Sequence, residues 1–145
     1  MTLMEAMQAR HSVRQYREEA LRKEDAALLR EEIEACNAES GLHIQLVCGE
    51  PKAFSGFMAR YGKFSGVTNY IALVGKKGPD LSETCGYFGE RIVLRAQQTG
   101  LHTCWVAMPY SKVPSAFSAG AGETRCAVSA VGSRHTPRSG HRLNA

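Results

Sequence analysis

Arg10, His11, Ser12 and Arg14 put two guanidiniums, an imidazole and a hydroxyl within five residues, in the stretch ARHSVRQY (9–16). Guanidiniums make paired, charge-assisted hydrogen bonds to oxyanions, and the histidine and serine add further donors. The chemistry this spacing offers is the grip of a phosphate-like anion. On local composition alone, a solvated basic turn ahead of Glu18 and Glu19 is the commoner outcome for such a cluster.

A second constellation is CGYFGERIVLRAQQTGLHTCWVAM (85–108). Gly86 and Gly89 fall inside a helical pattern, where each glycine costs about 1 kcal/mol relative to alanine. They permit close approach by a ligand or another backbone, or tight packing of the helix on a neighbour. Trp105, the single tryptophan, either packs over a planar ring or fills core, and core is the commoner fate of a large aromatic. His43 and His102 stand apart from any constellation and read as structural or surface residues. The cysteines at 36, 48, 85, 104 and 126 are odd in number and form no CxxC pair. They point to free thiols in a reducing cytoplasm, not to a disulfide framework or a metal site. Cys36, Cys48 and Cys126 occupy apolar periodic positions and read as small core hydrophobes. Cys104 reads as a structural thiol, because no basic residue beside it in sequence would lower its pKa.

The elements that must position these residues follow from periodicity. Leu3, Met4 and Met7 suit a short amphipathic helix ending near Arg10. Leu28, Leu29, Ile33 and Cys36 form the apolar stripe of a helix over 23–37, stopped by Gly41. HIQLVC (43–48) alternates like a half-buried strand, and residues 53–60 allow a short helix. NYIALVG (69–75) is a continuous apolar run, as expected for a strand covered on both faces. Leu81, Cys85, Phe88, Ile92, Ala96 and Thr99 step by three or four along the longest helix, with Gly100 as its cap. TCWVAM (103–108) is a loop or short strand, 109–118 is loop-like, and RCAVSAVG (125–132) is a last strand. Helices and strands mix, which predicts an α+β sheet with helices packed on it.

The chain has 145 residues, enough for one domain with a core. We divide it into a domain over 1–132 and a basic C-terminal tail over 133–145. Hydrophobic residues make up 43% and charged residues 22%, the balance of an ordinary globular protein, and the net charge of +4 permits an anionic ligand without requiring nucleic acid. No apolar run approaches the ~18 residues of a membrane helix, and the N-terminus lacks the long apolar stretch of a signal peptide.

Three motifs, ARHSVRQY, YGKFSGVTNYIALVG and GYFGERIVLRAQQTGLHTCWVAM, lie in that order within residues 3–132. Together they resemble the nitroreductase superfamily of flavin enzymes, and most closely its short bacterial branch. The resemblance implies an α+β, nitroreductase-like fold with a central mixed, mainly antiparallel sheet flanked by helices. It also implies FMN bound at an interface, usually that of a homodimer. Arg10, His11 and Ser12 would then meet the FMN phosphate, and Arg14 the phosphate or the ribityl and pyrimidine side. Tyr61, Gly62, Lys63 and Phe64 fall where the family contacts the isoalloxazine. Main-chain groups from Cys104 to Met108 would approach the ring on another side, lined by Trp105, Val106 and Ala107. In the family a C-terminal basic residue reaches the phosphate, and the tail offers Arg138, His141 and Arg142 for that charge, of which Arg142 is taken as the candidate.

In such an enzyme the flavin carries the chemistry, so no side chain is assigned as catalytic. NADH or NADPH would reduce the flavin, and a nitroaromatic, quinone or similar small acceptor would take the electrons in a ping-pong sequence. A positive group near N1 and O2 favours the reduced flavin, a role open to Arg14 or Lys63. Some features depart from the family pattern. The segment after the last strand is short, Ser129 interrupts an apolar strand, Ser133 stands where an aromatic is common, and 104–109 holds no acid. A sheet edge would then be uncovered and FMN affinity reduced. The alternative is therefore a flavin-binding or storage module with little turnover. A domain binding anions or nucleic acid through 10–17 and 134–142 ranks last, because those clusters are far apart and lack interleaved aromatics.

Overall fold

The computed structural model describes residues 1–49, 64–106 and 119–135. In chain order the elements are α1 (Leu3–Ala9), α2 (Lys23–Ser40), β1 (Gln45–Val47), β2 (Tyr70–Lys76), α3 (Leu81–Gln98), β3 (His102–Val106) and β4 (Glu123–Gly132). The strands form one antiparallel sheet in the order β1-β2-β4-β3. Parallel pairing appears only as isolated bridges, Ser12 with Thr103 and Gln15 with Ser65, among the described residues.

The apolar run predicted for a central strand is β2, buried from Tyr70 to Gly75. Its alternate side chains serve two cores. Tyr70, Ala72 and Val74 face a cluster with Val13, Tyr16, Val67, Val106, Val128 and Ala130. Ile71 and Leu73 face the helices, against Leu29, Ile33, Cys36, Cys85, Ile92 and Ala96. This two-sided burial explains why β2 reads as continuous hydrophobicity.

Both long helices end on glycines in the left-handed region, Gly41 after α2 and Gly100 after α3. At Gly100 the amide donates to Gln97 and that of Leu101 to Ala96, a two-bond closure of the helix end. α2 runs on to Ser40, three residues past the expected Asn37, and β1 is shorter than expected. The Asn37 side chain bonds both the N–H (2.8 Å) and the C=O (3.0 Å) of Ile44, and the His43 N–H ahead of it donates to the Val74 carbonyl of β2 at 2.8 Å. Arg91 of α3 reaches Glu32 (2.8 Å) and Glu39 (2.7 Å) and ties the two helices together.

The segment 103–108, open between loop and strand in the sequence, is strand β3 through Val106. The last strand, β4, lies inside the sheet between β2 and β3 and is not an edge. Ser129 is fully buried within it, and its hydroxyl donates to the Ala130 carbonyl at 3.1 Å. Two cysteines depart from expectation. Cys48 is exposed just past β1. Cys126 is half-buried, because the β2–β4 register passes from Leu73↔Ala127 to Val74↔Arg125 and leaves it unpaired in a bulge. The backbone pairing also continues beyond Gly132, with bonds from Arg17 N–H to Ser133 and from His135 N–H to Gln15.

Candidate functional site

The basic motif is placed by the end of α1. Thr2 and Glu5 close the start of that helix reciprocally, with Thr2 N–H to Glu5 Oε1 at 2.8 Å and Glu5 N–H to Thr2 Oγ1 at 3.1 Å. Arg10 is the C-cap, already extended at φ −66° and ψ 132°. From there the chain runs as an extended strap through residue 17. Val13 and Tyr16 point into the core, while His11, Ser12 and Arg14 are exposed. Hydrophobic burial of two residues thus fixes which polar residues face outward.

Backbone bonds dock this strap against distant parts of the chain. Val13 N–H donates to Thr103 of β3 (3.0 Å), Ser65 N–H to Arg14 (3.0 Å), and Tyr16 N–H to Ser65 (2.9 Å). On its other side Tyr16 bridges Arg134. The basic motif, the start of β3, the residues around Ser65 and the stretch after β4 therefore meet at one corner.

Positive charge gathers there. The rings of His11 and His102 lie 6.1 Å apart. Burial, then the charges of His11 and Arg134, hold the His102 imidazole below its ordinary pKa. Arg14 has no ion pair among the described residues. Arg10 faces Glu90 of α3, Nε to Oε1, at 3.9 Å. Arg10 Nε and His102 Nδ1 are buried without a hydrogen-bond partner among the described residues. A corner with surplus positive charge and unused hydrogen-bonding capacity suits an anion with several acceptor oxygens.

Of the residues expected around a planar ring, Phe64, Cys104, Trp105 and Val106 are among those described. Phe64 packs against the core on the Tyr70 face. Cys104 and Val106 are buried on that same side of β3. Trp105 points the other way. Its indole lies against α3, where a β-carbon on Gly89 would collide with it, and Nε1–H donates to Glu90 Oε2 at 2.9 Å. Of the two sequence readings of Trp105, packing into the interior describes its side chain. Any contact to a ring from Cys104, Trp105 or Val106 would come from the main chain. Tyr61, Gly62, Lys63, Ala107, Met108 and Arg142 lie outside the described residues.

His102, Arg134 and Glu90 belong to this corner and were not assigned to it from sequence. His102 looked isolated because its neighbour is 91 positions away in the chain, at His11. Arg134 was visible only as part of a basic tail. Glu90 carries no local signal, since its partners Arg10 and Trp105 come from other elements. His43 is structural as expected, its Nδ1 lying 3.1 Å from Glu123. Among the described residues no group of three potential metal ligands gathers, and no helix is long and apolar enough to cross a membrane.

Comparison with known proteins agrees with this fold. A family model described as "Putative TM nitroreductase" matches residues 2–143. An FMN-dependent nitroreductase of Clostridium difficile superposes with a TM-score of 0.69 at 15% identity, covering 93% of this chain and 89% of that one. A nitroreductase of Bacteroides fragilis solved with bound FMN gives 0.65 at 16% identity, covering 97% and 96%. A Bacteroides thetaiotaomicron protein titled "Putative NADH dehydrogenase/NAD(P)H nitroreductase" gives 0.67 at 21% identity, covering 94% and 88%. No curated protein matches the sequence.

Proposed function

The chain belongs to the nitroreductase family whose model spans it, and on that footing we propose that it is an FMN-dependent oxidoreductase using NADH or NADPH as reductant and a nitroaromatic, quinone or similar small molecule as acceptor. The observation that carries this reading is the basic corner, where Arg10, His11, Ser12 and Arg14 meet His102 and Arg134 beside β3. The residues present fit the phosphate end of FMN, because the exposed Arg14 and the His102 Nδ1, buried and partnerless among the described residues, belong to the same corner. The C. difficile protein is named an FMN-dependent nitroreductase, the B. fragilis one was solved with bound FMN, and the B. thetaiotaomicron one is named for NAD(P)H.

When bound, FMN supplies the hydride and electron transfer from reductant to acceptor. Arg10 and Arg14 supply fixed positive charge to the phosphate, with Ser12 and His11 as additional donors. The buried anchors Val13 and Tyr16 hold these groups in register without depending on the ligand. Cys104 and Val106 pair with Ala130 and Val128 in the sheet and keep their side chains in the core, while the Thr103 carbonyl faces the strap, so the outward main chain of β3 is what would border the flavin. The reading includes a homodimer, consistent with the exposure of Leu3, Met4 and Met7 along α1.

The test is anaerobic. Protein loaded with FMN is mixed with NADH or NADPH, and the yellow absorbance is followed, before and after adding a nitro compound. Bleaching followed by recovery supports the oxidoreductase. A protein that stays yellow with both reductants is a flavin-binding module without turnover. A protein that takes up no FMN refutes both.

A further inference from the structure

Glu90 stands one residue after Gly89 on α3, and its two oxygens have different partners. Oε2 accepts the Trp105 indole N–H at 2.9 Å, while Oε1 faces Arg10 Nε at 3.9 Å. Gly89 is what admits the indole, since a β-carbon there would occupy its place. One carboxylate therefore links α3 to β3 and to the basic strap.

We propose that Glu90 is a positioning residue for the anion site, resting on the reading of Arg10 as a ligand of the FMN phosphate. The hydrogen bond from Trp105 anchors the carboxylate. The carboxylate then turns the Nε edge of Arg10 toward α3, which leaves the terminal Nη groups for an oxyanion. A guanidinium held in place before binding loses less side-chain entropy when the ligand arrives.

Glu90 also exerts an opposite effect, because its negative charge offsets part of the positive field. Exposure decides which effect prevails. The Glu90 side chain is 44% exposed, so its field on a distant phosphate is screened. Arg10 is only 17% exposed, so its orientation is set by its immediate neighbours. Orientation dominates, and loss of Glu90 weakens phosphate binding.

The experiment titrates FMN and riboflavin into flavin-free protein, following flavin fluorescence, and records Trp105 emission separately. Glu90→Gln keeps an oxygen for the indole N–H but removes the charge facing Arg10. Glu90→Ala removes both. In Glu90→Gln the expected result is unchanged Trp105 emission, FMN affinity lower by about 3- to 10-fold, and riboflavin affinity unchanged. In Glu90→Ala the emission shifts as well, and FMN binding falls at least as far. FMN affinity equal to or above wild type in Glu90→Gln overturns the proposal. So does an equal loss for riboflavin, which reports general damage. Wild-type protein that prefers FMN to riboflavin by no factor refutes the phosphate role of Arg10 itself, and the role of Glu90 with it.

Discussion

The backbone carbonyl of Tyr16 lies against Gly66 so closely that a β-carbon there would overlap it. Gly66 also has a φ of +72°. Two requirements thus meet at the residue that lets the strap dock beside Ser65. Gly66→Ala is expected to cost about 2–4 kcal/mol, combining left-handed strain with a forced backbone shift. Gly122→Ala serves as the control, because φ is +78° but nothing lies within 4 Å of the added carbon. It is expected to cost only about 1–2 kcal/mol. Urea denaturation of both variants measures the difference, and equal losses would mean that the contact with Tyr16 sets no requirement.

Gly86 and Gly89 look alike in sequence and differ in structure. A β-carbon at Gly89 meets the Trp105 indole and lies 2.8 Å from Leu73 Cδ2, whereas at Gly86 nothing lies within 4 Å. Gly86→Ala should stabilise by about 0.5–1 kcal/mol through helix propensity. In Gly89→Ala an overpacking cost of about 1–3 kcal/mol opposes that gain. The expected outcome is a net loss together with a shift in tryptophan emission, since Trp105 is the only source of it. Thermal melts and emission spectra of the two variants check both halves.

His102 gives the molecule a pH dependence of known sign. Its folded pKa is held below the ordinary value, chiefly by burial and then by His11 and Arg134. Below about pH 6.5 the unfolded chain takes up a proton that the folded chain resists. Stability from this residue is complete above that pH and declines as pH falls toward the lowered folded value. A series of melts between pH 7.5 and 5 should show a shallower decline in His102→Asn than in wild type. Identical slopes would place the acid sensitivity elsewhere.

Thiol reactivity should separate the cysteines by environment. Cys48 is exposed and Cys126 half-buried, while Cys36, Cys85 and Cys104 are buried. Burial pushes the Cys85 thiol up to about 12, with Cys126 adding to the shift, and burial raises Cys36 as well. Thiolate is the reactive form. Labelling near pH 8 should therefore show one fast thiol, lost in Cys48→Ser, and three that react only after denaturation. A fast phase that survives Cys48→Ser would contradict the burial pattern.

The legibility of this chain varied with the range of the interactions. Helix ends at Gly41 and Gly100, and the central strand Tyr70–Lys76, were readable because period, composition and caps act locally. The Cys126 bulge was not, since it arises from a register shift against β2. The basic strap was legible as chemistry but not as architecture. Its docking depends on Thr103, Ser65 and Ser133, residues whose backbone alone is used and whose side chains announce nothing. Trp105 shows the limit most plainly. Its identity left core and ring-packing both open, with core the commoner, and only the pleat of β3, which turns its indole toward Gly89 and Glu90, decides between them.

The central claim is that the cations beside β3 hold a flavin phosphate. It is tested most directly by FMN titration of wild type and of Arg10→Ala/Arg14→Ala, with circular dichroism to confirm folding. Removing two charge-assisted donors is expected to weaken FMN binding on the order of 100-fold or more while riboflavin binding and the folded spectrum are kept. Wild-type FMN affinity in the folded double variant would contradict the assignment.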